Sequence, residues 1–432
     1  MTLEKKQQHR RLTAHLAFVL LTAAAWLGIS GGAAFGAGTA PTRDNHAARV
    51  IIGSPGLKVV AKWRWQKRLP ASLRQVGRGV AWLMGGREIA AEGLMGLSVW
   101  NLRPQKSRER PTVYRLKGVW TRAATSIEPA GLIVQRNTLG VAWFVAGHQG
   151  RNPQLIMNWL SARRFRPLRS YKIRLLDVSD AGVQLIGPRH GDWFATEPYD
   201  AEPWARIHIW RSRDGRSLGA HLPALWQPYG SMFCTGGGRD IYWVSSGTRV
   251  YQARIGGAKR AHPVLKSVRL VATNLQEGAL SPNGQQMLLL AGAEPGPPSN
   301  VAAILAPTSG VGAEWTLQYP YWALVPAVAP VFSANGKMAA FGVFCPSLVG
   351  HHFGTDMFIA GTSPFKIMYR AKMAEFVLTG MSFSPDGRRL ALEGQRSVVV
   401  LGLPKRVPRK ARRGLGLVSL VPVMIPPHPA PR

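Results

Sequence analysis

The chain has 432 residues, of which 55 are Lys or Arg and only 21 are Asp or Glu, so its formal net charge is +34 at pH 7. A charge of this size attracts polyanions of any kind, although arginines that are merely solvated at the surface give the same composition. Only two cysteines are present, which excludes a disulfide-rich scaffold.

Residues 1–40 have the pattern of an export signal. Basic residues at Lys5, Lys6, Arg10 and Arg11 precede an apolar run, and small residues follow it as far as Ala40. This order is typical of a cleaved signal peptide. The alternative is an uncleaved membrane tether through residues 12–37, because the uncharged run is long enough to cross a bilayer. Either way we expect an exported protein, periplasmic or in the cell envelope, which disfavours a specific nucleic-acid partner.

The next segment, residues 41–56, is a polar leader without periodicity. From Leu57 to Trp65 apolar residues alternate, with Ala61 and Trp63 on one face. A period of two predicts a β-strand.

Three similar turns recur toward the C-terminal end: Ser281-Pro-Asn-Gly284, Ser333-Ala-Asn-Gly336 and Ser384-Pro-Asp-Gly387, spaced by 52 and 51 residues. Pro presets φ at the second turn position and Gly accepts a positive φ at the fourth, so each stretch predicts a hairpin turn. The predicted structural turn residues are Pro282, Gly284, Gly336, Pro385, Asp386 and Gly387. A fixed period near fifty residues is typical of stacked units.

Weaker copies of the same unit lie upstream. The large apolar residues that we align with one another are Trp82, Trp143, Trp193, Trp243, Leu289, Phe341 and Leu392. Each unit has room for four short strands, and the pattern predicts an all-β fold, a β-propeller of seven four-stranded blades over residues 57–403. The Leu57–Trp65 strand is expected to complete the last blade. Repetition of tryptophan at one place favours packing between blades over ligand stacking.

Residues 404–432 form a basic, Pro-rich tail. Clustered like charges and prolines predict an extended or disordered segment. Within it, residues 415–423 are apolar enough to pair as a strand.

The turn sequences at Ser281, Ser333 and Ser384 resemble the WD40-like β-propeller repeats, often called PD40, of TolB-like proteins and of prolyl oligopeptidase relatives. The resemblance covers about residues 270–403 and implies the fold rather than an activity. We expect the chain to depart from both groups. TolB-like proteins carry an α/β domain before the propeller and the oligopeptidase relatives carry a hydrolase domain, and the sequence predicts neither before residue 57 nor after residue 403.

Two groups of polar residues are candidate ligand-binding sites. The acidic group comprises Asp192, Glu197, Asp200 and Glu202, which could bind a cation or act as an acid–base pair, although a surface loop neutralised by arginines is favoured. The second group is His351 and His352, for which we favour no metal, because adjacent residues of a strand point to opposite faces.

Cys234 and Cys345 fall in different, non-adjacent units, so two free thiols are favoured over a bridge.

No catalytic motif, metal site or cofactor is predicted. The sequence therefore favours a non-enzymatic exported propeller that binds a protein or an anionic envelope polymer. The alternative is an enzyme, a hydrolase or lyase, acting on a glycan or polyanionic substrate at the central channel.

Overall fold

The computed structural model describes residues 49–52, 54, 56–64, 79–83, 86–93, 96–102, 112–114, 127–147, 152–175, 183–198, 206–221, 232–234, 237–245, 249–255, 262–265, 274–292, 299–308, 313–319, 328–345, 354–374, 376–394, 397–404 and 421–424. The regular elements in these ranges are β-strands. A search of the same ranges found no apolar helix of membrane-spanning length. The proposed signal segment 1–40 lies outside them.

Two strands precede the first complete sheet: β1 (Arg49–Ile52) and β2 (Lys58–Arg64). The first three blades are β3 (Val80–Trp82), β4 (Glu88–Gly93), β5 (Gly96–Asn101) and β6 (Thr112–Tyr114); β7 (Ile127–Gln135), β8 (Thr138–Val145), β9 (Gln154–Ser161) and β10 (Pro167–Arg174); and β11 (Val183–Ile186), β12 (Trp193–Pro198), β13 (Ile207–Arg211) and β14 (Ser217–His221).

The next two blades are β15 (Met232–Cys234), β16 (Asp240–Ser245), β17 (Arg249–Arg254) and β18 (His262–Leu265); and β19 (Asn274–Leu280), β20 (Gln286–Gly292), β21 (Ser299–Pro307) and β22 (Ala313–Tyr319). The last two are β23 (Val331–Phe332), β24 (Met338–Cys345), β25 (Gly354–Thr362) and β26 (Phe365–Ala374); and β27 (Leu378–Phe383), β28 (Arg389–Gly394) and β29 (Ser397–Gly402), followed by β30 (Val421–Met424).

The first strands of the seven blades form a closed cycle. Strand β3 contacts β7, and the contacts continue through β11, β15, β19, β23 and β27 back to β3. Within each sheet the strands pair antiparallel in chain order. The chain is therefore a seven-bladed β-propeller with the first strand of every blade innermost, as the sequence predicts.

Strand β2 completes the last blade from the opposite end of the chain. It pairs antiparallel with β29, from Lys58 opposite Gly402 to Arg64 opposite Ser397. The prediction for residues 57–65 is thus confirmed. This pairing joins the two ends of the repeat region in one sheet, so the ring is closed by hydrogen bonds as well as by packing.

Two further strands extend the outer edges of neighbouring blades. Strand β1 pairs with β26, and β30 pairs with β22. The sequence did not predict β1 in the leader, whereas β30 overlaps the apolar stretch noted in the tail. Pro422 is tolerated in β30 because a strand at the edge of a sheet needs no N–H on its outer side.

The apolar core consists of seven clusters, one between each pair of adjacent blades. Trp143 and Trp243 are fully buried, and Trp82 and Trp193 nearly so. This placement confirms that these four tryptophans pack between blades.

Two alignments in the sequence-based series were wrong. Trp193, the first residue of β12, packs against the following blade, whereas Trp143 and Trp243 pack against the preceding one. Trp82 lies on the first strand of its blade, not on the second strand where Trp143 lies. The second strand of the first blade places the small residues Ala90 and Ala91 at the corresponding interfaces. The aligned residue of the first blade therefore lies one strand too early, which explains why Trp82 and Trp143 are 61 residues apart whereas the C-terminal turns recur every 52 or 51 residues.

Candidate binding face

In the last three blades, the hairpin turn between the first and second strands is built around a buried serine, Ser281, Ser333 or Ser384. In the last blade the Ser384 hydroxyl donates to Asp386 Oδ1 and accepts the N–H of Arg389 at 2.9 Å, while the Gly387 N–H donates to the Ser384 carbonyl at 2.8 Å. The same bonds recur around Ser281 and Ser333. Gly284, Gly336 and Gly387 have φ of +71°, +69° and +66°, which confirms the predicted turns.

The turn between the first and second strands is tied to the end of the third strand in its own blade. A backbone N–H after or at the end of the third strand donates to a turn carbonyl over 2.6–3.1 Å in all seven blades. The carbonyls belong to Arg87, Asn137, Asp192, Arg239, Gln285, Lys337 and Arg388. The turns between first and second strands and those between third and fourth strands therefore lie on the same side of the ring. We call this side the turn face.

Turns of adjacent blades also contact one another on the turn face. The Arg136 N–H donates to the Arg189 carbonyl at 2.8 Å, and Trp193 Nε1 donates to the Gly238 carbonyl at 2.7 Å. Arg389 Nη1 donates to the Gly86 carbonyl at 3.1 Å across the junction of the last and first blades. The turn face is consequently a connected surface and not a set of independent loops.

The turn face is strongly basic. Eleven exposed basic residues lie in the described parts of its turns, against three exposed acids. The basic residues are Arg87, Arg136, Arg163, Arg164, Arg166, Arg189, Arg213, Arg216, Arg239, Lys337 and Arg388, and the acids are Asp192, Asp214 and Asp386. Seven of these basic residues come from the second and third blades, and four other blades contribute one each.

Two of the three acids are held by neighbouring groups of the same turns. Asp214 receives Arg211 Nε at 3.0 Å and Nη2 at 2.7 Å, and this hydrogen bonding lowers its pKa. Partial burial acts to raise the pKa of Asp386, but hydrogen bonds from Ser384 and from the Arg388 N–H, with the nearby arginine charges, lower it overall. Both carboxylates are therefore ionised at neutral pH and offset only their own neighbours.

The junction of the second and third blades gives the turn face a fixed geometry. The Ser212 carbonyl accepts the Tyr171 hydroxyl at 2.7 Å and Arg169 Nε at 3.1 Å. Trp159 Nε1 donates to the Tyr171 oxygen at 2.8 Å, and the Arg169 guanidinium lies 5.0 Å from the Trp159 ring centroid. Burial is the main reason that the pKa of Tyr171 rises to about 12. The hydroxyl therefore stays protonated and able to donate.

Buried glutamates lie near the ends of the second strands that are farther from the turn face. Glu393, at the end of β28, is fully buried, and its Oε2 accepts the Gly79 N–H at 2.9 Å. Burial, followed by the charge of Glu92 in the neighbouring blade, raises the pKa of Glu393. Burial and then the charge of Glu277 raise the pKa of Glu197 at the opposite side of the ring. These carboxyls retain protons at pH values where exposed glutamates are ionised.

Two members of the predicted acidic group, Asp192 and Glu197, lie apart. Asp192 lies exposed on the turn face, whereas Glu197 lies buried near the other end of β12. Five residues of extended strand separate them by roughly 16 Å. The expectation of one loop was wrong here, because residues 193–198 form a strand. Asp200 and Glu202 lie outside the described residues.

The remaining predicted groups are only partly described. His351 and His352 lie outside the described residues, and nearby Asp356 is buried and bonded to Arg370. In the part of the chain that the structure describes, no three His, Cys, Asp or Glu side chains are arranged to hold a metal ion. Cys234 is a free thiol, whose burial raises its pKa to about 12. The position of the Cys345 side chain is not described.

Sequence inspection did not find the turn face or the buried glutamates. The basic residues of the turn face share a position in their hairpins but no sequence motif, so they can be recognised only after the turns of the blades are aligned. Glu92 and Glu393 do share a signal, because each lies one residue before the glycine that ends its second strand.

The chain is thus a seven-bladed β-propeller, and the described parts of its turn face are basic. No family model matches the chain, and no curated protein is significantly similar to it. Among solved structures it is similar to hydrazine synthase from Kuenenia stuttgartiensis, with 13% sequence identity and a TM-score of 0.45 over 65% of this chain and 77% of that chain. A similarity this distant indicates no function.

Proposed function

We propose that this protein is a non-enzymatic binding or scaffold propeller, which holds an anionic partner, a protein or an envelope polymer, on its turn face. The observation that carries the proposal is the excess of exposed basic residues in the turns, eleven against three acids. Such a surface attracts polyanions and speeds their association. An envelope or periplasmic location, with a cleaved signal or a tether in residues 1–40, belongs to the same proposal.

We also propose that the blades are WD40-like repeats of the PD40 kind. The support is the shared chemistry of three turns, in which Ser281, Ser333 and Ser384 each bond the Asn or Asp two residues later. The Asp of the last turn and the Asn of the other two accept the same backbone N–H two positions on.

The second candidate function is acid–base catalysis on a glycan or polyanionic substrate. One observation favours it: Glu197 has the raised pKa that a general acid requires. Its side chain is only 4% exposed, however, and Glu393 is not exposed at all. Substrate access to these carboxyls therefore needs an opening that the described strands do not provide, so binding is the better supported function.

The proposed function is tested by measuring binding to a soluble polyanion, polyphosphate, at low and at high salt. At 0.1 M salt, the interaction between exposed charges is largely screened once they are more than about 10 Å apart. We expect affinity to fall steeply as salt rises, and cross-linking in intact envelopes to capture an anionic partner. Salt-independent binding, or no binding with no cross-linked partner, would contradict the proposal.

A further inference from the structure

An apolar residue recurs at one position on the outer strands of the propeller, at the edge of the turn face. In β10 the pairing moves from Pro167 opposite Leu160 to Arg169 opposite Trp159, so Leu168 is the extra residue of a bulge. Leu218 in β14 and Val60 in β2 are the extra residues of matching bulges. A bulge turns such a side chain away from the regular pleat.

Three of these bulged side chains are among the five large apolar side chains that are exposed in the described part of the chain, the other two being Val59 and Val113. The exposed fractions are 51% for Leu168, 42% for Leu218 and 40% for Val60. The sixth blade has the same bulge at Met368, whose side chain is only partly exposed. Apolar residues in equivalent, exposed positions on different blades form a rim that burial in the propeller core does not explain.

The apolar rim and the basic turns are adjacent. Leu168 and Leu218 each lie two residues after an exposed arginine, Arg166 and Arg216 respectively. Exposed arginines next to exposed aliphatic side chains suit a lipid interface, where the cations contact anionic headgroups and the apolar groups enter the boundary with the acyl chains. A soluble anionic polymer provides partners for the arginines but none for the leucines.

The exposed basic residues are most numerous in the blades that carry the two most exposed bulged residues. Seven of the eleven lie in the second and third blades, which also carry Leu168 and Leu218. We propose that the turn face docks against the surface of an anionic lipid bilayer, with the bulged residues Leu168 and Leu218 inserted at its edge. This inference rests on the proposed binding role of the turn face and names an anionic lipid surface, instead of a protein or polymer, as the partner.

The direct test is co-sedimentation with phosphatidylcholine vesicles that contain or lack phosphatidylglycerol. We expect binding only to the vesicles that contain phosphatidylglycerol. Each surface arginine near an anionic membrane contributes roughly fivefold in affinity, so the double change Arg163→Gln and Arg164→Gln should weaken binding roughly thirtyfold. The control, Arg174→Gln with Arg206→Gln, removes the same charge at the opposite ends of the strands, where both residues are exposed, and should bind as the wild type does.

A second pair of variants separates a bilayer from a soluble polymer. Leu168→Ser with Leu218→Ser should lose vesicle binding severalfold yet keep its affinity for polyphosphate, while Val113→Ser, 37% exposed and outside the bulges, should keep both. Polyphosphate binding without vesicle binding would overturn this inference and leave the proposed function intact. Equal vesicle binding by the two arginine double variants, or by the leucine variant and wild type, would also overturn it. Failure to bind either probe would contradict both proposals.

Discussion

At the scale of single residues, the hairpin turn of the last blade depends on a glycine and a serine with different roles. Gly387 has φ of +66°, and a side chain added there would meet Met338 and Ser333 only at 3.7 Å. Space is therefore adequate, and the conformation is what requires glycine. Ser384 is buried, and its hydroxyl is both a hydrogen-bond donor and an acceptor inside the turn.

Replacing Gly387 with Val should destabilise the protein by about 1–3 kcal/mol, the cost of holding a β-branched residue at positive φ. Gly387→Asn is the matched control, because Asn adopts this conformation more readily and should cost less. Chemical denaturation of both variants measures the difference. Equal stability of the Val variant and the wild type would show that the turn assignment is wrong.

The buried pair at the seam of the first and last blades predicts a specific dependence of stability on pH. Burial and the charge of Glu92 raise the pKa of Glu393 above its unfolded value, so the folded state binds the proton more tightly. The contribution of Glu393 to stability is therefore greatest below its unfolded pKa and is lost as pH rises through the folded pKa.

Glu393→Gln should accordingly be less sensitive to rising pH than the wild type. The amide oxygen can still accept the Gly79 N–H, which Glu393 Oε2 accepts at 2.9 Å, so the fold is retained. Gly380 leaves space for this group, since a Cβ there would lie 3.1 Å from Oε2. Thermal unfolding across a pH series measures the difference between the two proteins, and parallel curves for them would refute this assignment.

At the scale of elements, the closing strand β2 holds the seam through one buried aromatic pair. Trp63 of β2 stacks on Trp100 of the first blade with ring centroids 5.7 Å apart. Both rings belong to the apolar cluster between the last and first blades. The strand therefore contributes hydrogen bonds to one blade and packing to the next.

Trp63→Ala should destabilise the ring by about 3–5 kcal/mol, as expected for loss of a buried aromatic side chain. The control is Val59→Ala on the same strand, where the side chain is 38% exposed and the change should stay within about 0.5 kcal/mol. Urea denaturation distinguishes them. Similar stabilities for the two variants would argue against β2 as a structural part of the seam.

The sequence predicted the elements best where turn chemistry and alternation agree. The turns at Ser281, Ser333 and Ser384 directly predict the strands on either side of them, because Gly and Pro constrain the backbone locally. Trp82 was assigned to the second strand because the first blade lacks such a turn and its second strand is lined with alanine. Strand β1 escaped notice because its partner, β26, lies more than 300 residues away, and no local pattern reports that pairing.

At the scale of the whole molecule, the described turns of the turn face carry eleven exposed basic residues, and Glu92, Glu197 and Glu393 are buried toward the other ends of their strands. Composition gives the excess of basic residues but not where they lie on the fold, because their positions depend on how the turns of adjacent blades meet. Proximity in sequence likewise did not place Asp192 and Glu197 together, since strand β12 carries them to different ends.

The most direct test of the account is a polyphosphate titration of three proteins at low salt: the wild type, the Arg163→Gln, Arg164→Gln double variant, and the Arg174→Gln, Arg206→Gln double variant. All four arginines are exposed, and the two variants carry the same net charge. We predict that the first variant binds severalfold more weakly than the second, which should match the wild type. Equal affinities of the two variants would contradict a binding function located on the turn face.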